Sequence, residues 1–248
     1  MYEAQNNHLA AYLPILTGSK LLKFCYFILL LLLVSCGDTK TKQTTDTVIT
    51  DTPSPTSETP QATNNTILCF GDSITAGYGL DDTNNAYPGV LQQTIDSLNL
   101  DYTVINSGVS GETTAGGKSR ITWVIKQAPD IFLLELGAND GLRGVPLTES
   151  QANLQAIIDE VREQSPKTLI VLAGMELPPN MGEDYTTEFR QLYADLAEKN
   201  KLAFIPFILK DVGGIPSLNL KDGIHPNKAG HKIVADNVWE VIGPLIKS

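Results

Sequence analysis

Short apolar segments alternate with longer amphipathic ones from residue 66 to the end of the chain. The apolar segments have strand length, and they are TILCF (66–70), YTVIN (102–106), IFLLEL (131–136), TLIVLA (168–173) and FIPFIL (204–209). The intervening segments predict helices over 88–98, 114–127, 148–164, 183–200 and 228–246. Nearly continuous apolar strands that alternate with helices are typical of a parallel sheet covered on both faces. The pattern therefore predicts an α/β domain with a five-stranded parallel sheet.

The chain connections limit the possible orders of the strands. Right-handed crossovers leave few topologies, and we choose the order 2-1-3-4-5, a three-layer α/β/α arrangement of flavodoxin-like type. A sheet of this kind binds ligands at the carboxyl ends of its strands, near the point where the strand order reverses. The residues that follow strands 1, 2 and 3 are therefore the first candidates for a site.

A different pattern occupies the N-terminus. Lys20 and Lys23 precede an uninterrupted apolar run over 24–34, which is short for a membrane span and suits the apolar region of a signal peptide. The run ends in LVSCG, which resembles a bacterial lipoprotein signal, and this resemblance implies cleavage before Cys36 and acylation of Cys36. An uncleaved anchor and an ordinary cleaved signal remain alternatives. All three place the rest of the chain outside the cytoplasm.

The segment after the signal contains Thr, Ser, Pro and Asp with almost no large apolar residue. Such a composition cannot bury a core and predicts a disordered tether. The predicted organisation is a signal peptide over 1–35, a lipidated cysteine with its tether over 36–65, and a folded domain over 66–248. The lipid anchor would hold the protein at a membrane.

Composition and charge narrow the classes of partner. The 248 residues are 42% hydrophobic and carry a net charge of −10, which makes nucleic-acid phosphates a poor partner. Cys25, Cys36 and Cys69 show neither the spacing of a zinc site nor that of a disulfide framework. Cys69 lies within an apolar run and is expected to be a buried strand residue.

Polar motifs follow the first three strands. Strand 1 ends in GDSITAGYG, strand 2 in NSGVSGETT and strand 3 in GANDGLRG. In the predicted order Ser73 would lie between Gly108 and Asn139, both of which can donate hydrogen bonds. Ser73 stands at a sharp strand-to-helix turn and is a candidate nucleophile. Taken alone, GDS also fits a turn with a capping serine, and Asn139 also fits an Asx turn.

A serine hydroxyl needs a neighbouring base to act as a nucleophile near neutral pH. The predicted domain contains two histidines, and His231 falls within the last helical pattern, where we expect a surface or helix-face position. His225 lies instead in the loop that enters this helix. Pro226 favours an extended His225, and Asp222 can reach its Nδ1 atom. His225 is therefore the candidate base.

Together these motifs resemble the SGNH hydrolases, also called GDSL-type esterases. FGDSITAGYG, NSGVSGETT, GANDGLRG and DGIHPN correspond in order to the four motif blocks of that family, and LPPNMGEDYTTEF adds a likeness to its thioesterase I/lysophospholipase/arylesterase subgroup. The resemblance implies Ser73 as nucleophile, His225 as base and Asp222 as the residue that orients it. It also implies an oxyanion hole formed by the N–H groups of Ser73 and Gly108 and the side chain of Asn139. No metal or cofactor is needed for such chemistry.

The substrate class is predicted from the loops at the same edge of the sheet. Apolar residues on these loops suit an acyl chain, although ordinary loop packing explains them equally well; they are Leu177, Pro178, Pro179, Met181, Ile215 and Pro216. We expect a small-molecule or lipid ester or thioester as substrate, hydrolysed through an acyl-serine intermediate, with arylesterase, lysophospholipase or acyl thioesterase activity. Deacetylation of a surface carbohydrate, and a tethered binding module without turnover, are the alternatives.

Overall fold

A computed structural model describes residues 65–246. The predicted signal peptide, the tether and Cys36 lie outside these residues, so the expectations about them stay predictions. The strands are β1 (Asn65–Gly71), β2 (Tyr102–Gly108), β3 (Ile131–Glu135), β4 (Leu169–Ala173) and β5 (Ala203–Ile205). The helices are α1 (Ser73–Ala76), α2 (Tyr87–Ser97), α3 (Thr114–Val124), α4 (Ala138–Leu142), α5 (Leu147–Gln164), α6 (Glu183–Asn200) and α7 (Lys228–Ile242).

The five strands form one parallel sheet in the order β2-β1-β3-β4-β5, which confirms the predicted topology. Helices α2 and α7 pack together in one layer, and α3, α5 and α6 form the other. All five residues of β3 are buried, as expected for a strand that is covered on both faces. No helix within the described residues is long and apolar enough to cross a membrane.

The last strand is shorter than predicted. β5 ends at Ile205 instead of continuing to Leu209, because Pro206 has no N–H group to donate to a neighbouring strand. The apolar residues that follow are buried in turns: Ile208 is fully buried, and its N–H donates to the carbonyl of Gly174 at 3.0 Å. An apolar run that satisfies the burial pattern of a strand therefore fills the core without being a strand.

Helix α7 also ends earlier than predicted. It stops at Ile242 and is followed by a 3₁₀ turn over Gly243–Leu245, whereas the pattern predicted a helix to residue 246. Pro244 lies in this turn, and proline does not continue an α-helix because it lacks the N–H group and clashes with the preceding turn.

The register of the sheet brings the polar motifs together. Gly71 at the end of β1 pairs with Gly108 of β2 on one side and with Glu135 of β3 on the other. The segments that begin with Asp72, Val109 and Leu136 therefore leave the sheet side by side at its carboxyl edge.

Candidate active site

Ser73 is the first residue of α1, directly after the central strand β1. Asp72 caps this short helix, since its Oδ1 atom accepts a hydrogen bond from the N–H of Ile74 at 3.0 Å. Only 7% of Ser73 is exposed. The N–H of Ser73 donates to no other described residue, so this turn presents both a hydroxyl and a free backbone donor.

His225 contacts Ser73 across 152 positions of sequence. The distance from His225 Nε2 to Ser73 Oγ is 2.9 Å, and the distance from His225 Nδ1 to Asp222 Oδ2 is 2.8 Å. The loop that carries His225 is fixed by its own backbone, because the N–H of Leu220 donates to the carbonyl of His225 at 2.7 Å. The structure thus brings Ser73, His225 and Asp222 into one hydrogen-bonded chain, in the arrangement of a serine, a base and the group that orients the base.

Asp222 is held in its ionised form. Partial burial opposes ionisation, but hydrogen bonds from the N–H groups of Ile224 and His225, together with the His225 side chain, outweigh it and lower the pKa of Asp222 to about 2. A carboxylate at Nδ1 fixes the proton of a neutral imidazole on that nitrogen. Nε2 of His225 is then free to accept the hydroxyl proton of Ser73.

Asn139 lies at the start of α4 and is oriented from two sides. Its Nδ2 atom donates to Asp72 Oδ2 at 3.0 Å, and its Oδ1 atom accepts a hydrogen bond from the guanidinium of Arg143 at 3.2 Å. An amide nitrogen carries two hydrogens, so one donor of Asn139 is left for a substrate oxygen.

The expectation that Gly108 offers a free N–H is wrong. This N–H donates to Oδ1 of Asn106 at 3.0 Å, and the Asn106 amide in turn donates to the carbonyl of Thr75. Glycine is required at this position for packing instead, because a Cβ atom on Gly108 would lie 2.2 Å from the backbone nitrogen of Ala76. The close approach brings the end of β2 against α1.

Gly111, three residues further on, has the properties that were expected of Gly108. It has a φ of 80°, which favours glycine, and its N–H donates to no other described residue. Its carbonyl accepts a hydrogen bond from Arg143 at 3.2 Å, and the same guanidinium nitrogen binds Asn139. Arg143 therefore links Gly111 to Asn139 at the edge of the site.

A buried polar network under the nucleophile turn was not predicted. Glu135 is fully buried, and its Oε2 atom accepts hydrogen bonds from the N–H of Asp72 at 3.2 Å and from the hydroxyl of Thr75 at 2.7 Å. Burial raises the pKa of Glu135 well above its usual value, and the nearby charge of Asp72 adds to this effect. Burial likewise raises the pKa of Asp72, despite the hydrogen bonds from Ile74 and Asn139. A charged residue within the apolar segment IFLLEL is the sequence signal that would have indicated Glu135.

His231 is buried, so the expectation of a surface position is wrong. It is 1% exposed on α7, and its Nδ1 atom accepts a hydrogen bond from the N–H of Tyr87 at 3.2 Å. Burial, with a smaller contribution from the charge of His225, lowers the pKa of His231 to about 4. His231 is therefore a neutral core residue near neutral pH.

An apolar cavity of about 300 Å³ opens beside the site. Its lining includes Ile74, Ala138 and Ile224, which directly neighbour Ser73, Asn139 and His225; the other lining residues include Leu142, Met175, Leu177, Pro178, Pro179, Phe207 and Leu209. A larger cavity of about 800 Å³ lies at the opposite edge of the sheet, among residues such as Leu98, Asp130 and Leu169, away from Ser73. Because only the smaller cavity adjoins the Ser73–His225 pair, it is the candidate binding cavity.

Some of the predicted substrate-binding residues line the cavity beside Ser73, and others do not. Leu177 and Pro178 line the cavity beside Ser73, whereas Met181 and Ile215 are not among its lining residues. Met181 lies in a 3₁₀ turn and packs against the core, and Ile215 is 39% exposed. Their predicted contact with an acyl chain stays a prediction.

Comparison with known proteins gives consistent matches. A model of the GDSL-like Lipase/Acylhydrolase family matches residues 69–233. Esterase TesA of Pseudomonas aeruginosa is 38% identical over 189 residues, which cover 76% of this chain and 92% of that protein. Thioesterase 1/protease 1/lysophospholipase L1 of Escherichia coli K12 is 32% identical over 182 residues, covering 73% of this chain and 85% of that protein. The crystal structure of esterase EstA from Pseudoalteromonas sp., inhibited by monoethylphosphonate, superposes with a TM-score of 0.69 at 32% identity and covers 74% of this chain and all of that one.

Proposed function

The chain belongs to the GDSL-like lipase/acylhydrolase family and is a serine esterase, and from this premise we propose that it hydrolyses esters of apolar acyl chains through an acyl-serine intermediate. The observation that carries the proposal is the hydrogen-bonded chain Ser73–His225–Asp222, with distances of 2.9 and 2.8 Å. A binding module without turnover has no need of a base at hydrogen-bond distance from a serine hydroxyl, and this favours the enzyme over that alternative.

The proposed first half of the reaction acylates Ser73. His225 Nε2 takes the hydroxyl proton while Ser73 Oγ attacks the carbonyl carbon of the ester, and the carbonyl oxygen becomes an oxyanion. The N–H groups of Ser73 and Gly111 and the free hydrogen of the Asn139 amide donate to this oxyanion. His225 then gives the proton to the leaving alcohol as the bond from the carbonyl carbon to the leaving oxygen breaks.

The second half uses the same groups on water. His225 accepts a proton from a water molecule, the resulting hydroxide attacks the acyl-serine, and the same donors stabilise the second oxyanion. Collapse of this intermediate returns the proton to Ser73 Oγ and releases the carboxylic acid. Asp222 keeps the imidazole in one tautomer throughout and stabilises its cationic form.

The proposed substrates have an acyl chain that fits the apolar cavity beside Ser73. A cavity of about 300 Å³ lies at the lower end of the range for small-molecule sites, which favours short- and medium-chain esters over two-chain lipids. The proposed candidates are lysophospholipids, which carry one acyl chain, and exogenous short- and medium-chain esters. The names of the relatives, which include an arylesterase and a thioesterase/lysophospholipase, support the same class. Activity on acetylated glycans, with none on longer acyl esters, would favour a surface deacetylase instead.

For localisation, we propose a lipoprotein anchored through Cys36 outside the cytoplasm. The support is the sequence alone: an apolar run over 24–34 that ends in LVSCG, followed by a polar tether. Two or more acyl chains hold a protein stably at a membrane, whereas one does not. We expect Cys36→Ser to abolish labelling of the protein by radioactive palmitate in bacterial cells. Unchanged labelling of this variant would contradict the proposal.

The function is tested with the whole chain, a fluorophosphonate probe and a series of p-nitrophenyl esters from acetate to palmitate. We expect stoichiometric labelling of Ser73 and a maximum of kcat/KM at a short or medium chain. Absence of both probe labelling and ester hydrolysis would contradict the proposed esterase mechanism. Leu177→Trp, which narrows the cavity, is expected to move the maximum to shorter chains, and an unchanged profile would show that acyl chains bind elsewhere.

A further inference from the structure

The aromatic ring of Tyr78 lies on the imidazole of His225. The ring centroids are 4.6 Å apart, and the planes are inclined by 44°. Tyr78 comes five residues after Ser73, and its N–H donates to the carbonyl of Ser73 at 3.0 Å. The loop after the nucleophile therefore folds back and brings an aromatic face onto the base.

The segment around Tyr78 is also packed against the loop that carries His225. A Cβ atom at Gly79 would lie 2.4 Å from Cδ1 of Leu220, so the two loops touch closely at this point. Leu220 is the residue whose N–H binds the carbonyl of His225. The position of Tyr78 relative to the imidazole is therefore set by the backbone hydrogen bond to Ser73 on one side and by the packing of Gly79 against the Leu220 side chain on the other.

Core packing does not account for Tyr78. The side chain is 51% exposed, and its hydroxyl makes no hydrogen bond with another described residue. Its ring contact within the described part of the chain is the one with His225. The structure thus gives Tyr78 one specific partner, which is the proposed base.

We propose that Tyr78 is a positioning residue for His225, an inference that rests on the proposed esterase mechanism. The ring restricts rotation of the imidazole and keeps Nε2 directed at Ser73 Oγ while Nδ1 binds Asp222. In addition, the electron-rich face of the ring stabilises the imidazolium that forms each time His225 accepts a proton. This effect is present in the transition state more than in the ground state, so it raises kcat with little effect on KM.

The proposal assigns the effect to the ring and not to the hydroxyl. Tyr78→Phe should therefore keep kcat within about twofold, whereas Tyr78→Leu should lower kcat about tenfold. A cation–π interaction of about 0.5 to 2 kcal/mol corresponds to a factor of roughly 2 to 30. KM should stay within about twofold in both variants. Because Tyr78 is not among the residues that line the acyl cavity, the factor should be the same for short and longer acyl chains.

The experiment compares Tyr78→Phe and Tyr78→Leu with Trp123→Leu, which removes an aromatic side chain that is 72% exposed and contacts none of the proposed catalytic groups. Each variant of the whole chain is assayed on alkyl and aryl esters of the same acyl group. In parallel, NMR of the His225 ring protons measures the ring-current shift, which should be lost in Tyr78→Leu and kept in Tyr78→Phe and Trp123→Leu. This second readout does not depend on turnover.

Several results would overturn the proposal. Normal kcat in Tyr78→Leu would remove the positioning role, and an equal loss in Tyr78→Phe would assign the effect to the hydroxyl. A rise in KM, or a loss confined to aryl esters, would make Tyr78 a substrate contact. Unchanged His225 ring-proton shifts in Tyr78→Leu would show that the rings do not stack. Inactive wild-type protein would instead refute the proposed esterase itself, so the two failures are distinguishable.

Discussion

The carboxylate of Asp72 holds the side chain of Asn139, with 3.0 Å between Asp72 Oδ2 and Asn139 Nδ2. The other oxygen of the same carboxylate caps the helix that begins with Ser73, through the N–H of Ile74. One buried side chain thus fixes both the turn of the proposed nucleophile and the proposed oxyanion donor. This double contact gives the fully buried acid beside the serine the hydrogen bonds that a buried polar group requires.

The first prediction concerns Asp72→Asn. An asparagine has one acceptor oxygen where Asp72 uses two, so either the cap or the contact with Asn139 must be lost. We expect kcat to fall by roughly 10- to 100-fold with little change in KM, because a misdirected donor costs less than a deleted one. Steady-state kinetics check this, with the exposed Asp81→Asn as control. A kcat within twofold of the wild type would contradict the role given to Asp72.

The second prediction concerns the nucleophile and its base. Ser73→Ala and His225→Ala should each reduce ester hydrolysis to background and leave the circular dichroism spectrum unchanged. The double variant should be little worse than either single one, because the two groups act as a unit. Turnover numbers for the three variants test this non-additivity. Near-normal hydrolysis by Ser73→Ala would refute the acyl-serine mechanism.

The third prediction uses the buried His231. Because its pKa falls from an ordinary 6.5 to about 4 on folding, the unfolded chain binds more protons than the folded one between these values. Its contribution to stability is complete above pH 6.5 and is lost as the pH falls towards 4, with a slope of up to roughly 1.4 kcal/mol per pH unit. The pKa values of Asp72 and Glu135 are raised, so these groups change the stability with pH in the opposite direction. Their contribution cancels in the difference between the wild type and a variant that lacks only His231.

His231→Asn is a suitable variant for this comparison, because its side-chain oxygen can still accept the N–H of Tyr87. Urea unfolding of both proteins at several pH values between 4.5 and 7.5 gives the difference in the free energy of unfolding. We expect wild-type stability to fall relative to the variant as the pH decreases. Parallel profiles would show that His231 binds its proton equally well in the folded and unfolded states.

The sequence predicted the sheet because buried parallel strands leave continuous apolar runs, and this signal is strong in β1, β3 and β4. The prediction was wrong at the end of β5, because the apolar run continues past Pro206 whereas the hydrogen bonding between strands does not. For His231 the signal was present, since Val234, Val238 and Ile242 share its helical face and are buried with it. The hydrophobic spacing of α7 is therefore the signal that indicates an inward position for the histidine.

The glycine of the oxyanion site was beyond the reach of the sequence pattern. NSGVSG contains two glycines three residues apart, and composition does not distinguish them. The oxyanion donor must be a glycine whose N–H is not already bonded, and the N–H of Gly108 donates to the Asn106 side chain. By contrast, Ser73, Asp222 and His225 were predicted together, because their separate motifs supply a nucleophile, a base and a group that orients the base. Glu135 and Tyr78 were not predicted, because each acts through a neighbouring residue and neither has a sequence motif of its own.

The last prediction concerns Asn139, because it separates an assembled oxyanion site from a bare serine–histidine pair. Asn139 donates to the carbonyl oxygen most strongly when that oxygen carries negative charge, so its removal should affect the transition state more than the bound ester. We expect Asn139→Ala to lower kcat by roughly 10²- to 10³-fold, about 3 to 4 kcal/mol, with KM nearly unchanged. Fluorophosphonate labelling of Ser73 should slow as well, since that reaction places negative charge on the same oxygen.

Asn139→Asp should be as slow as Asn139→Ala or slower. An ionised carboxylate cannot donate, it would repel the oxyanion, and it would stand against the carboxyl group of Asp72, which now accepts the Asn139 amide at 3.0 Å. Asn237→Ala is the matched control, because it removes a buried amide that binds the carbonyls of Ile208 and Lys210 and has no contact with Ser73. It should lower stability and leave the kcat of the folded protein unchanged. A tenfold rise in KM at constant kcat in Asn139→Ala would instead make Asn139 a ground-state contact, and the oxyanion would then depend on the two backbone donors at Ser73 and Gly111.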